Sequence, residues 1–143
     1  PFFTKAMWAR VTVIVINLWV GIPYTILQVT GILQNIPAEL YEAAKIDGAS
    51  PMQSFFKITV PLLKPTILLT AITSTNGTLQ LFDESLNLTN GGPGKSTMTM
   101  SHYIYNISFK QSPNFGYAAA MSILILIMVA ILAILQMKVG DER

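Results

Sequence analysis

From Val11 to Leu33 the chain carries no charged residue. As a helix rising ~1.5 Å per residue, that run reaches roughly 35 Å, enough to cross a hydrocarbon core of ~30 Å. Backbone groups at that depth have no water to bond, so a continuous helix is the conformation such a run can adopt there. Pro23 lies inside the run. A proline breaks a helix in water, but neighbouring helices can satisfy the freed carbonyl in a membrane. Trp8 suits a membrane interface, and Trp19 an interior position. Charged residues make up only 11% of the sequence and hydrophobic ones 52%, whereas soluble domains carry about a quarter charged residues. The formal charge of +2 is too small to suggest nucleic acid, and the absence of cysteine excludes disulfides and thiolate metal sites. The sequence opens on Pro1, with no signal-like pattern ahead of the first apolar run, so a piece of a longer protein is expected.

Two more crossings are expected, over residues 61–82 and 115–137. The later half of the second is crowded with Thr70, Thr73, Ser74, Thr75, Asn76 and Thr78. Such groups cost free energy in hydrocarbon unless they face protein or a wet cavity. Between the first two crossings lies a polar stretch, residues 36–60. Pro37 suits the first helical position, Glu39 and Glu42 suit the positive end of a helix, and Gly48 suits its stop. Ser50, Pro51 and Gln53 then form a capping-box pattern. The prediction is helix, glycine bend, helix, with Leu40, Ala43, Ala44, Phe55 and Phe56 buried beside the charges. Residues 88–97 are turn-rich, and residues 98–110 suit a short amphipathic helix outside the membrane. Gly116, Ala119 and Ala120 permit tight helix contact at the start of the third crossing. With the Glu42 stretch cytoplasmic, the basic residues divide almost evenly between the two sides, so charge alone does not orient the chain.

Asn17, Val20, Gly21 and Tyr24 share one helical face. Ser74, Gly77, Thr78 and Leu81 share another, with Asn76, Gln80 and Asp83 on a neighbouring one. Such faces either pack against helices or line a cavity. Their hydroxyls and amides suit a sugar, which offers many neutral donors and acceptors. The glycines leave room for a ring, and Phe82 could stack on one. A charged solute would favour a charged group at mid-membrane, and none lies between Val11 and Leu33 or between Pro65 and Phe82. The Gly-Gly-Pro-Gly-Lys-Ser run fails as a phosphate loop, because Thr89 stands where the first glycine belongs. His102, the one histidine, has no clustered carboxylate or second imidazole to suggest metal, and no catalytic spacing is present.

Read as E-A-A-x2-D-G-A-x8-I-x-L-P, the stretch from Glu42 to Pro61 departs only at Val60, where leucine is usual. It resembles the EAA loop of permease subunits of binding-protein-dependent ABC importers. The run Val15–Tyr24 resembles the matching segment of maltose-type permeases, and Leu88–Gly94 the loop that sugar permeases carry at this place. The resemblance extends roughly from Trp8 to Lys138. It implies an all-α integral membrane protein of the methionine-permease-like superfamily. The chain would be the C-terminal half of a six-helix ABC importer permease core, with a cytoplasmic coupling loop over 36–60 and an extracytoplasmic loop over 83–114. It implies a bacterial or archaeal cell-membrane location and ATP-driven uptake of a sugar or oligosaccharide. The implied partners are an ATP-binding cassette ATPase dimer, a second permease subunit, an extracytoplasmic solute-binding protein and the lipid membrane. Glu42, Ala43, Ala44, Asp47 and Gly48 would contact the ATPase. Asn17, Val20, Gly21, Tyr24, Ser74, Gly77, Thr78 and Leu81 would line the sugar site. No cofactor, metal or catalytic residue is implied. The alternatives are an ABC permease for an amino acid, polyol or glycerol phosphate, an ion-driven secondary carrier, and an intramembrane enzyme.

Overall fold

The computed structural model describes residues 3–110 and 112–141. Among these the secondary structure is helical, with no strand. The three long helices are α1 (Ala6–Leu33), α4 (Val60–Leu79) and α7 (Phe115–Asp141). Among the described residues, three helices are long and apolar enough to cross a membrane: Ala6–Leu33, the continuous stretch Pro51–Asn87 that contains α4, and Phe115–Gly140.

α4 is central, with α1 packed on one part of it and α7 on another. Few apolar side chains are buried: Ala9 and Val13 on α1, Leu63 on α4, Ala118 and Ile125 on α7, and Ile107 in the π-helical segment before α7. Large apolar side chains point outward instead, as with Trp19 at 78% and Leu27 at 72% exposure. A helix apolar all round belongs in lipid or against other membrane helices. Gly116, Ala119 and Ala120 are exposed, so the close approach expected of them is made within this chain by the buried Ala118. At the other end of α7, a Cβ on Gly140 would overlap the Leu68 side chain, which marks a tight α4–α7 contact.

The polar stretch folds as α2 (Ala38–Ile46) and α3 (Pro51–Ser54). Gly48 stops α2 at φ +77°. The amide of Ala49 donates to the Ala44 carbonyl at 2.9 Å and that of Gly48 to the Lys45 carbonyl at 3.1 Å, which is a Schellman closure. Ser50 and Gln53 cap α3 reciprocally, at 3.3 and 2.8 Å. Pro37 is the N-cap of α2 and not its first residue, because its ψ of 129° is extended. Leu40 and Phe56 are 42% and 60% exposed, and Phe55 and Ala43 are exposed as well. Their expected burial does not occur within this chain, since nothing covers the outer face of so short a helix. Tyr41 faces inward, its hydroxyl 2.7 Å from Thr59 Oγ1.

α3 continues into α4 through a π-helical segment, Phe55–Thr59, where the amide of Val60 bonds the Phe55 carbonyl five residues back. Pro61 and Pro65 follow and cannot donate. The wider turn shifts the bonding frame ahead of Pro61, and α4 continues through both prolines without a break. α4 ends at Leu79, short of the expected Phe82, and Thr99 Oγ1 donates to the Leu81 carbonyl beyond its end. α1 in turn starts at Ala6, so Arg10 lies within it and bonds the Ser96 carbonyl at 2.9 Å through Nε. The chain then forms α5 (Asp83–Asn87), a loop, α6 (Met100–Tyr105) and a second π-helical segment, Asn106–Lys110.

Candidate functional site

A groove of about 300 Å³ runs between α1 and α4. α1 supplies Asn17, Val20, Gly21, Tyr24 and Thr25; α4 supplies Thr70, Thr73, Ser74, Gly77 and Thr78. No charged residue is among them. Ligand pockets begin near this volume. Thr25 Oγ1 donates to the Gly21 carbonyl at 3.1 Å and Thr73 Oγ1 to the Leu69 carbonyl at 3.0 Å, so both hydroxyls keep an acceptor free. Thr70 donates to Gln28 Oε1 at 3.0 Å and closes one end. At the other end Asn17 Nδ2 donates to Glu84 Oε1 at 3.2 Å. Ser74 and Thr78 have no hydrogen-bond partner among the described residues, so their hydroxyls stay available.

The structure thus brings together every predicted lining residue except Leu81. Leu81 falls outside because α4 has already ended, and the helical spacing that placed it on the Ser74 face no longer holds. Phe82 is also committed elsewhere, edge-on to Tyr105 with centroids 5.2 Å apart. Thr25 and Glu84 were not anticipated, and Thr70 and Thr73 were expected only to face protein or a wet cavity. The threonines sit beside the predicted faces and could have been found by widening them. Glu84 could not, because the turn after α4 is what carries it back to α1.

A second hollow of about 400 Å³ lies in the bend between α1 and α4, lined by Ala44, Asp47, Gly48 and Ala49 on one side and by Gln53, Ser54, Lys57 and Ile58 on the other. Glu42 and Ala43 stand on the exposed outer surface of α2. The bend therefore offers a concave polar pocket and a convex face on which apolar side chains alternate with charges.

Residues 1–141 match the family model described as the binding-protein-dependent transport system inner membrane component. The chain belongs to this family. The lactose transport system permease protein LacF of Rhizobium radiobacter is 48% identical over 99% of the chain and 48% of its own length. The multiple sugar-binding transport system permease protein MsmF of Streptococcus mutans is 37% identical over 94% of the chain and 46% of its own length. The maltose/maltodextrin transport system permease protein MalF of Escherichia coli is 38% identical over 96% of the chain and 29% of its own length. The chain thus spans about half the length of these relatives, or less. As an inner-membrane component with three apolar helices, it is a multi-pass protein of the cell membrane.

In this transport-family chain the loop after α5 is organised around a buried polar knot. Ser85 and His102 are both fully buried. Ser85 Oγ donates its one hydrogen to the Thr97 carbonyl at 2.7 Å. His102 Nδ1, 2.8 Å from Ser85 Oγ, must therefore carry a proton and donate to it. His102 Nε2 is buried without a partner. Gly91, at φ +79°, lets the backbone pass under the ring; a Cβ there would come within 2.9 Å of Met98 Cε and 3.3 Å of His102 Cε1. Burial, and after it the charge of Lys110, holds the His102 pKa below its usual 6.5. The unfolded loop then binds the proton more readily than the folded one, so stability rises with pH across this window. The loop is expected to hold its full stability above about pH 6.5 and to lose it progressively as pH falls towards the lowered value. Amide exchange over Gly91–His102, corrected for intrinsic rates, should show protection falling on acidification. Protection unchanged between about pH 7.5 and pH 5 would mean that His102 does not titrate against this fold.

Proposed function

We propose that this chain forms one wall of the translocation path of a sugar-importing ABC permease. The observation that carries the reading is the α1–α4 groove: hydroxyls on both faces, the Asn17 amide on α1, a glycine on each face, and no charged residue in the lining. A sugar offers neutral donors and acceptors to match. The relatives named for lactose, multiple sugars and maltose support the same substrate class.

In this reading residues 11–33, 61–82 and 115–137 cross the membrane, within the C-terminal part of one transmembrane domain. The bend over 36–60 faces the cytoplasm and seats Glu42, Ala43, Ala44, Asp47 and Gly48 on an ATPase dimer. The loop over 83–114 faces outward, towards a solute-binding protein that delivers the sugar. A second permease subunit supplies the opposite wall. ATP closes the ATPase dimer, and the bend passes that motion to α4, which forms part of the groove. Asn17, Val20, Gly21, Tyr24, Ser74, Gly77 and Thr78 then hold the sugar by neutral hydrogen bonds and ring contact. This chain binds no nucleotide itself.

The test is uptake into vesicles carrying the full complex, with ATP inside and a panel of labelled lactose, maltose, a polyol, an amino acid and glycerol phosphate outside. Saturable, ATP-dependent uptake of a neutral saccharide is the expected result. Uptake of the amino acid or of glycerol phosphate alone would overturn the sugar assignment.

A further inference from the structure

The hydrogen bond between Asn17 and Glu84 fixes more than the position of a side chain. A carboxylate oxygen accepts and never donates, whereas an asparagine amide can do either. Asn17 must therefore turn its NH2 group to Glu84, 3.2 Å away. Its carbonyl oxygen has no partner among the described residues, and Asn17 lines the groove.

Glu84 is held in place from both sides. Ser85, next in α5, is locked by Thr97 and His102. Phe82, just ahead of α5, is packed against Tyr105. α5 cannot roll without breaking one of these contacts. Glu84 also has no ion-pair partner among the described residues. Arg10 lies about two helical turns from Asn17, some 10 Å along α1, and its Nε is directed to the Ser96 carbonyl. The negative charge at this end of the groove is therefore not neutralised by a paired cation.

We propose that Glu84 is the specificity-determining residue of the groove: it presents Asn17 to the substrate as a hydrogen-bond acceptor, and its charge turns anionic solutes away. The proposal rests on the sugar reading for its first half only. A neutral sugar hydroxyl donates to Asn17 Oδ1. A carboxylated or phosphorylated glycoside brings like charge towards Glu84, with no cation lining the groove to offset it.

Two measurements on the assembled transporter test this. Glu84→Gln keeps the shape but removes the charge and can donate as well as accept, so it no longer forces Asn17 to be the donor. Apparent KM for a transported neutral disaccharide should rise about three- to tenfold, with maximal uptake within about twofold. The second measurement needs no sugar. These 143 residues contain no cysteine, so Thr78→Cys adds one thiol on this face of the groove, read against the transporter without that substitution. Its reaction with a cationic methanethiosulfonate should exceed that with an anionic one, and Glu84→Gln should cut this ratio about three- to tenfold. Glu84→Asp should preserve it, and Glu84→Ser replaces the glutamine variant if that one fails to assemble. A KM and a ratio that both stay unchanged overturn the proposal. So does a loss of assembly or maximal rate with KM and ratio unmoved, which makes Glu84 a packing residue. If the ratio shifts while the wild type takes up no saccharide, the sugar reading falls and the charge filter stands.

Discussion

A complex carrying Gly77→Leu is expected to assemble at wild-type levels and to lose roughly tenfold or more of its uptake, because the added side chain fills a groove that is already near the lower size limit of ligand pockets. A Cβ at Gly77 meets no atom within 4 Å, so the substitution enters open space. That space is the groove of about 300 Å³. Leucine also favours a helix over glycine by up to about 1 kcal/mol, so α4 itself should not weaken. Asn17→Ala makes the contrast. Besides its bond to Glu84, it removes one hydrogen bond to the sugar worth about 0.5–1.5 kcal/mol, or roughly 2- to 12-fold in affinity, and leaves the space open. Vesicle uptake measured beside the amount of intact complex separates the two effects. Full uptake with unchanged apparent affinity in both variants would mean that these faces only pack against other helices.

Gly48→Val is expected to break the link between ATP hydrolysis and uptake while leaving membrane insertion intact. Gly48 sits at φ +77° in open space, so the obstacle to valine is conformational and not steric crowding. A β-branched residue held there costs about 1–3 kcal/mol. The chain can relieve that strain by opening the Schellman closure at Ala44 and Lys45, which reorients α2 against α3. Asparagine tolerates the left-handed region far better, so Gly48→Asn should keep most of the coupling. The readout is sugar taken up per ATP hydrolysed. A valine variant with the wild-type ratio and normal assembly would remove the bend from the coupling path.

What the sequence disclosed followed the range of the interactions involved. The bend was legible because its signals are local: Gly48 closes one helix and Ser50 with Gln53 opens the next within a few residues. The groove faces on α1 and α4 could be drawn from helical spacing, since Asn17 through Tyr24 and Ser74 through Thr78 lie in unbroken helix. Spacing failed at Leu81, where the helix had already ended. It was silent about Glu84, which reaches Asn17 from 67 positions away. The exposed Leu40, Phe55 and Phe56 show the complementary error. Apolar pattern says that a side chain wants cover, but not that the cover belongs to the same chain. His102 read as a lone histidine with nothing to do, and its contact with Ser85 became visible only in the folded loop.

The uninterrupted passage from α3 through the π-helical segment into α4 has a mechanical consequence. From Pro51 to Leu79 the helical path is continuous, roughly 43 Å along its contour at ~1.5 Å per residue. Pivoted at one end, a rod of that length converts a tilt of about 10° into a sweep of about 7 Å at the other, more than one helical pitch. Ser50 stands at one end, and Gly77 and Thr78 stand near the other. A broken helix at Pro61 would absorb the same tilt within a turn. The widened turn keeps the path continuous, so under the proposed coupling a small rotation at the bend would arrive at the groove as a displacement the size of a sugar ring.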